Sequence, residues 1–377
     1  MNECAAPPNA PSVVLVCVSL RGGGTERIVC RLASFLATRW QVTVVTLAHS
    51  EPFYAVDEAV CIRMPPPSWR NWMKVVRPLL QIGHVYRSLR DVRPEVCLIF
   101  GEDIAASIAM TARIAGVPKV AVLPRGAPSR STKGIKGKVN AVVYGAVDQV
   151  VVQTEAARSA MNVNFPTASL RVIPNPIELP VSCRPLKERE NWILCVGSLG
   201  RQKNQEALIR VFARFENARK WHLLFVGDGP DRVRLETMAR ASGVANRIRF
   251  VGEQADVSEW LNRARIFAFP SLSEGFPNAL AEAMAAGCAC ISYDCPTGPA
   301  DLIEHDRNGL LVPNDDETAF QRQLERLVND SELQAELSHH ARKGMQRFSA
   351  DHVLEQFECL IQTMAPQTER PQATSCD

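Results

Sequence analysis

Ser271-Leu272-Ser273-Glu274-Gly275-Phe276-Pro277-Asn278-Ala279-Leu280-Ala281-Glu282-Ala283-Met284-Ala285-Ala286-Gly287 follows directly on an apolar run, Ile266-Phe267-Ala268-Phe269-Pro270. The run reads as a buried strand, and the stretch after it as a turn and a helix. Pro277 suits the first helical position, where a missing N–H costs nothing. Gly287 suits the left-handed residue that ends a helix. Glu274 then sits in the turn, and Glu282 about a turn and a half inside the helix. The N–H groups of Gly275, Phe276, Asn278 and Ala279 would lack helical partners. They would form a cluster of donors with positive dipole character, fit for a phosphate or a sugar hydroxyl. Two carboxylates beside that cluster suit a ligand carrying both hydroxyls and phosphates. An acidic first turn also stabilises a helix that binds nothing, so these residues alone leave both readings open.

Outward from this stretch, strands and helices alternate in both directions. Upstream, Val13–Val18, Gln41–Leu47, residues 60–64, Val96–Phe100, Lys119–Leu123, Val147–Val152 and Leu170–Ile173 read as strands. Their continuous apolar runs are the mark of strands covered on both faces. Pro174-Asn175-Pro176 and the polar stretch to about Glu190 break the pattern as a linker does. The alternation restarts with a strand at Trp192–Val196 and a helix over 203–218. Strands follow at 221–226, 247–251 and 265–270, with helices over 230–242 and 256–264 between them. Cys288–Tyr293 is a further strand, and 316–362 reads as two helices. At 377 residues the chain exceeds what one core usually supports. The expectation is α/β, two Rossmann-like domains, over 1–176 and 177–345, with a disordered tail over 367–377.

Charge divides the same way. Residues 1–180 carry 20 Lys and Arg against 12 Asp and Glu, a net +8, and the remainder is net −5. A basic first half suggests an anionic partner: a membrane surface, a phosphorylated substrate or nucleic acid. The segment from Pro65-Pro66-Pro67 through Trp69, Trp72, Lys74, Arg87, Arg90 and Arg93 is basic and amphipathic, with interfacial tryptophans. It suits an anionic membrane, and an ordinary surface helix with solvated charges is the alternative. Arg130, Lys133, Lys136 and Lys138 form a basic loop that suits a phosphorylated acceptor. The 12 cysteines are scattered, with no C-x-x-C pair and no zinc spacing. They read as small buried hydrophobes in a reducing cytoplasm. No signal peptide and no bilayer-spanning run is expected.

Three further turns sit at strand ends, where doubly wound sheets bind ligands. Arg21-Gly22-Gly23-Gly24-Thr25-Glu26-Arg27 joins the first strand to a helix. It is not the dinucleotide fingerprint, because Arg27 stands where the last glycine should fall. Gly23 and Gly24 would let a ligand approach the backbone, or simply make a tight turn. Val196-Gly197-Ser198-Leu199-Gly200-Arg201-Gln202-Lys203-Asn204 repeats the layout, with Lys203 opening a helix and Arg201 beside it. The pair would hold a diphosphate, or be two exposed cations. Val226-Gly227-Asp228-Gly229-Pro230 is the third turn on that edge. Glu102 and Asp103 are placed at a strand end as well, where Asp103 equally serves as a helix cap.

Taken together, these motifs resemble family 4 glycosyltransferases. Arg201-x-Lys203-Asn204, Val226–Pro230, Phe250-Val251-Gly252 and Pro270–Ala283 match the family's C-terminal domain. Gly23–Arg27 resembles its N-terminal glycine loop, Ile173–Pro176 its hinge and Asn308–Val312 its late strand. Specificity lies in the ordered set, which runs from about residue 13 to 360. Asp294-Cys295-Pro296-Thr297-Gly298-Pro299 further resembles the branch acting on polyprenyl-diphosphate-linked glycans.

The resemblance implies the GT-B architecture, two domains facing each other across a cleft, with a C-terminal helix over 346–366 returning to the first domain. It implies a retaining transferase that moves a hexose or N-acetylhexosamine from a UDP-sugar to a lipid-linked or oligosaccharide acceptor. The setting is the inner face of a membrane, without a cofactor, a metal or a nucleic-acid partner. Glu282 would bind the nucleotide ribose and Glu274 the donor sugar. Lys203 and Arg201 would hold the diphosphate, and Gly275, Phe276, Asn278, Gly23, Gly24 and Gly227 would line the donor site. Two departures stand out: Ser198 replaces the family's usual Arg, and Leu123-Pro124-Arg125-Gly126 lacks its usual His. A nucleotide-sugar epimerase and a non-catalytic nucleotide-sugar binder remain the alternatives. Asp315-Asp316 resembles the acidic pair of metal-dependent transferases and reads better as a helix cap.

Overall fold

Val13-Val14-Leu15-Val16 lies wholly inside the protein, with Val13 and Leu15 in one core cluster and Val14 and Val16 in another. This alternation is the signature of a strand covered on both faces. In the computed structural model, which describes residues 10–71, 76–124, 134–215 and 220–365, the chain divides into two units. Unit 1 comprises the residues up to Pro174 and those from Asp351 onward, and unit 2 spans Asn175–Ala350.

Unit 1 is built on β1 (Ser12–Cys17), β2 (Gln41–Thr46), β3 (Cys61–Arg63), β4 (Val96–Phe100), β5 (Lys119–Leu123), β6 (Gln149–Val152) and β7 (Leu170–Val172). They form a parallel sheet in the order β3-β2-β1-β4-β5-β6-β7. Its helices are α1 (Gly24–Leu36), α2 (Val76–Val92), α3 (Glu102–Ile114), α4 (Gly134–Ala146) and α5 (Glu155–Asn164). Strand order reverses direction between β1 and β4. Right-handed crossovers therefore put α1 on one face and α2 to α5 on the other, and the two core clusters divide accordingly.

Unit 2 repeats the plan. Its elements are β8 (Glu190–Val196), α6 (Gln205–Ala213), β9 (His222–Val226), α7 (Arg232–Ala241), β10 (Ile248–Gly252), α8 (Ser258–Arg263) and β11 (Ala264–Phe269). They continue with α9 (Asn278–Ala285), β12 (Ala289–Asp294), α10 (Pro299–Leu302), β13 (Leu310–Pro313), α11 (Glu317–Asn329) and α12 (Ser331–Gly344). The parallel sheet runs β10-β9-β8-β11-β12-β13, with its reversal between β8 and β11. A last helix, α13 (Ala350–Met364), belongs to unit 1. Its Val353, Phe357, Leu360 and Ile361 are buried in the cluster that holds Leu15 and Leu98, and Glu358 pairs with Arg39.

Several boundaries differ from expectation. Residues 316–362 hold three helices, because the Asp330 carboxylate caps a new one by accepting the Leu333 N–H at 2.9 Å. Lys203 does not open a helix. It ends a 3-10 turn, Arg201–Lys203, and Asn204 then takes a left-handed conformation (φ 50°) before α6. Pro277 is the residue before α9 and not its first, since its ψ of 73° is not helical. The C-terminal helix begins at Ala350, after a 3-10 turn over Met345–Phe348. Gly287 does end α9 in the left-handed region (φ 75°). Trp72, Lys74, Arg125, Gly126, Arg130, Lys133 and the expected tail lie outside the described residues.

Candidate functional site

The carboxyl ends of β8 and β11 lie side by side at the reversal of the unit 2 sheet. Adjacent loops there leave in opposite directions and open a crevice. The loop after β8 carries the 3-10 turn and Lys203, and the loop after β11 carries Glu274. Backbone ties hold the two together. Leu272 donates its N–H to the Gln202 carbonyl at 2.9 Å, and the Gln202 side chain donates to the Ser273 carbonyl. On this frame Lys203 Nζ reaches Glu274 Oε1 at 2.6 Å. Glu274 is buried, while Lys203 keeps 25% of its side chain exposed. The ammonium also lies over the Phe269 ring, 5.4 Å from its centre.

The Glu274 turn is clamped from a third loop. Thr297, after β12, donates its hydroxyl to the Glu274 carbonyl. Gly298 adopts φ 112°, and a Cβ there would fall 2.6 Å from Pro277 Cδ. Burial and the nearby Glu274 charge push the Cys295 thiol up to about 12, so it stays protonated. At the start of α9 the N–H groups of Gly275, Phe276 and Ala279 meet no acceptor among the described residues. Asn278 corrects the expected cluster, because its N–H donates to the Phe276 carbonyl at 2.9 Å. Its side-chain carbonyl accepts from Asn175 at 2.8 Å. Asn175 itself is buried. Glu282 lies four residues beyond Asn278 and three beyond Ala279, so all three share the half-exposed face of α9. A cation, a carboxylate, free N–H donors and a second carboxylate thus converge on one sheet edge. Such a set can hold an anion and a polyhydroxyl group together.

Residues 184–344 match the glycosyl transferases group 1 model, and residues 22–180 match the Glycosyltransferase Family 4 model. The chain belongs to glycosyltransferase family 4. This transferase is 26% identical to "Exopolysaccharide phosphotransferase SCO2592" of Streptomyces coelicolor, over 93% of its own length and 40% of that protein's. The GalNAc-α-(1→4)-GalNAc-α-(1→3)-diNAcBac-PP-undecaprenol α-1,4-N-acetyl-D-galactosaminyltransferase of Campylobacter jejuni is 24% identical over 93% of this chain and 98% of that one. Among solved structures, Anabaena Alr3699/HepE in complex with UDP superposes with a TM-score of 0.79 at 17% identity, covering 93% of this chain and 100% of that one. The fold is that of GT-B glycosyltransferases.

The remaining expected residues of this glycosyltransferase are placed as follows. Gly227 (φ 137°) packs against the β8 loop, where an added Cβ would fall 2.2 Å from the Gly197 carbonyl oxygen. Its lack of a side chain serves the meeting of two loops. Phe276 is buried against Phe348, with ring centres 5.9 Å apart, so only its backbone faces the turn. Arg201 is exposed and is not brought to the Glu274 carboxylate. It lines a depression of about 290 Å³ with Gly200, Asn204, Gln205, Glu206 and Arg234. In unit 1, Gly23 precedes α1 and Gly24 begins it. A Cβ on Gly23 would fall 2.4 Å from Glu26 Oε2, so the carboxylate of Glu26 folds over that glycine. Asp316 caps α11, accepting the Ala319 N–H at 2.9 Å. Sequence reasoning missed Gln202, Thr297 and Asn175 as parts of the site. Each lies within a motif that was noticed, yet only the fold shows what each one touches.

Proposed function

We propose that the protein transfers a hexose or N-acetylhexosamine from a UDP-sugar to a lipid-linked glycan, with retention of configuration, in polysaccharide or glycoconjugate synthesis. The observation that carries this reading is the Lys203–Glu274 pair at the strand reversal, with Glu282 on the half-exposed face of the adjoining helix. Glu282 would accept hydrogen bonds from the ribose hydroxyls, and Glu274 would orient the donor sugar. Lys203 would leave Glu274 for the diphosphate and stabilise the charge that grows on it as the bond to the sugar breaks. The N–H groups of Gly275 and Phe276 would face sugar and phosphate. Gly23 and Gly24 would admit the donor phosphates and the acceptor. The acceptor hydroxyl attacks the anomeric carbon on the face the diphosphate leaves, and its proton passes to the departing phosphate oxygen. No metal is required in this scheme, since Lys203 supplies the positive charge.

Two comparisons support the reading. The Campylobacter relative is named for a polyprenyl-diphosphate glycan acceptor, and the Anabaena structure contains UDP. A lipid-linked acceptor would bring the protein to the cytoplasmic face of a membrane as a peripheral enzyme. No described helix is long and apolar enough to cross a bilayer.

The test uses labelled UDP-sugars with and without an undecaprenyl-diphosphate glycan. The expected result is acceptor-dependent label in the lipid fraction, with the anomeric configuration of the donor kept in the product. Glu282→Ala should weaken nucleotide binding, and Lys203→Ala should slow transfer roughly 100-fold or more. Epimerised free nucleotide sugar, or binding of UDP without any transfer, would sink the proposal.

A further inference from the structure

The right-handed crossovers of unit 1 stack α2, α3 and α4 side by side on one face of its sheet. Their inner sides are core, through Val85 and Leu89, Ile108 and Ala112, and Val143 and Tyr144. Their outer sides are apolar too. Leu79 (69% exposed) and Tyr86 are seven residues apart on α2, Met110 (63%) and Ile114 (68%) four apart on α3, and Val139 and Val142 (73%) three apart on α4. Each spacing puts its pair on one helix face. The helices of unit 2 expose a single large apolar side chain among the described residues, Val233. An apolar surface spread over three adjacent helices marks a contact with something that is not water.

Arg87 and Arg90 on α2 and Lys138 on α4 are exposed on the same helices, and no carboxylate pairs with them among the described residues. The acidic groups of this layer are engaged or lie at its edge. Asp91 pairs with Arg63, Asp148 with Arg113 and Lys119, and Glu102 and Asp103 occupy the first turn of α3.

We propose that the outer face of α2, α3 and α4 docks on an anionic lipid bilayer, with these apolar side chains entering the headgroup region and the three cations meeting lipid phosphates. Long basic side chains flanking apolar ones can reach the phosphates while their stems stay in the apolar layer. A second copy of the chain fits less well, because a two-fold contact through this face would bring its cations against a face carrying the same unpaired positive charge. The proposal differs from the tryptophan-based expectation. Trp69 is half-buried, with its ring edge-on to His84 at 6.1 Å. The inference rests on the lipid-linked acceptor reading for its purpose, but not for its surface.

The experiment is flotation of the full chain with vesicles of phosphatidylcholine alone or with about 30 mol% phosphatidylglycerol. The wild-type protein should float with the anionic vesicles and dissociate as salt rises. Met110→Ser, Ile114→Ser and Val142→Ser combined should lower the partition coefficient at least ~10-fold with an unchanged melting temperature, since the side chains already face outward. Arg87→Gln, Arg90→Gln and Lys138→Gln combined should abolish the preference for phosphatidylglycerol. Wild-type flotation that survives both sets of changes overturns the proposal, as does no flotation at all. Sedimentation showing a dimer that the serine variant dissolves would assign the face to self-association and also overturn it. Transfer to a detergent-dispersed acceptor should be the same in wild type and in the serine variant. A wild-type protein that transfers sugar but floats with neither vesicle fails this inference alone, and a wild-type protein that floats with anionic vesicles but transfers nothing fails the transferase reading alone.

Discussion

At the residue scale, the 2.6 Å contact between Lys203 and Glu274 makes each side chain the other's counter-charge. Removing one leaves the other partly buried and uncompensated, at a cost below the roughly 3–5 kcal/mol of a fully buried pair because Lys203 reaches solvent. Lys203→Ala and Glu274→Ala should each lower stability in denaturant melts, and the double variant should recover part of the loss. Strict additivity would contradict the pairing. Thr297 offers a second test. Its hydroxyl is the clamp on the Glu274 carbonyl, and it holds φ 66°, a region β-branched residues avoid. Thr297→Val leaves that carbonyl short of a donor, worth about 1–3 kcal/mol. Transfer should fall about 10-fold at saturating donor, and Thr297→Ser should restore it. A valine variant with wild-type turnover would remove the clamp from the account.

At the element scale, α8 and α9 end on a shared cation. The buried Arg189 guanidinium donates to Ala286 O at 2.6 Å, Ala264 O at 3.1 Å, Leu261 O at 3.2 Å and, through Nε, Arg184 O at 2.9 Å. No carboxylate is among these partners. Carbonyls at the ends of the two helices, where dipoles favour positive charge, hold it instead. Arg189→Met should therefore destabilise unit 2 by about 3 kcal/mol or more, measured by chemical denaturation, because several buried acceptors lose their donor together. A change under 1 kcal/mol would refute the cap. The strands were legible in the sequence because both their faces are buried, which leaves long apolar runs. The end of α9 was legible because Gly287 carries its own conformational signal. The start was misplaced by one residue because a proline φ of −82° suits either position, and the contact with Gly298 is not local. The break at Asp330 was written in Asn329-Asp330-Ser331 and passed over for the leucine pattern. In the site, the charged groups could be read from motifs. Their supports could not, since Thr297 lies 23 residues from Glu274, and Asn175 lies 103 from Asn278.

At the scale of the whole molecule, the chain leaves unit 1 at Pro174 and returns to it at Asp351. The core of the first unit therefore depends on the last helix. Val353, Phe357, Leu360 and Ile361 close the face that α1 leaves open, and each buried side chain of this size contributes about 1.5–3 kcal/mol. Their sum approaches the stability of an ordinary domain. Truncation before Asp351 should thus speed amide exchange in β1 and β2 while leaving β8 and β11 protected. Equal protection in both sheets would contradict that dependence. The central claim is that unit 2 holds a nucleoside diphosphate by two separate groups, the ribose by Glu282 and the diphosphate by Lys203. Calorimetric titration of UMP and UDP into the full-length protein and its two alanine variants tests it most directly. Glu282→Ala should weaken both nucleotides alike, by roughly 10- to 100-fold for a charged hydrogen bond. Lys203→Ala should leave UMP nearly unchanged and erase most of the advantage of UDP. Wild-type affinity for both nucleotides in both variants would contradict the account.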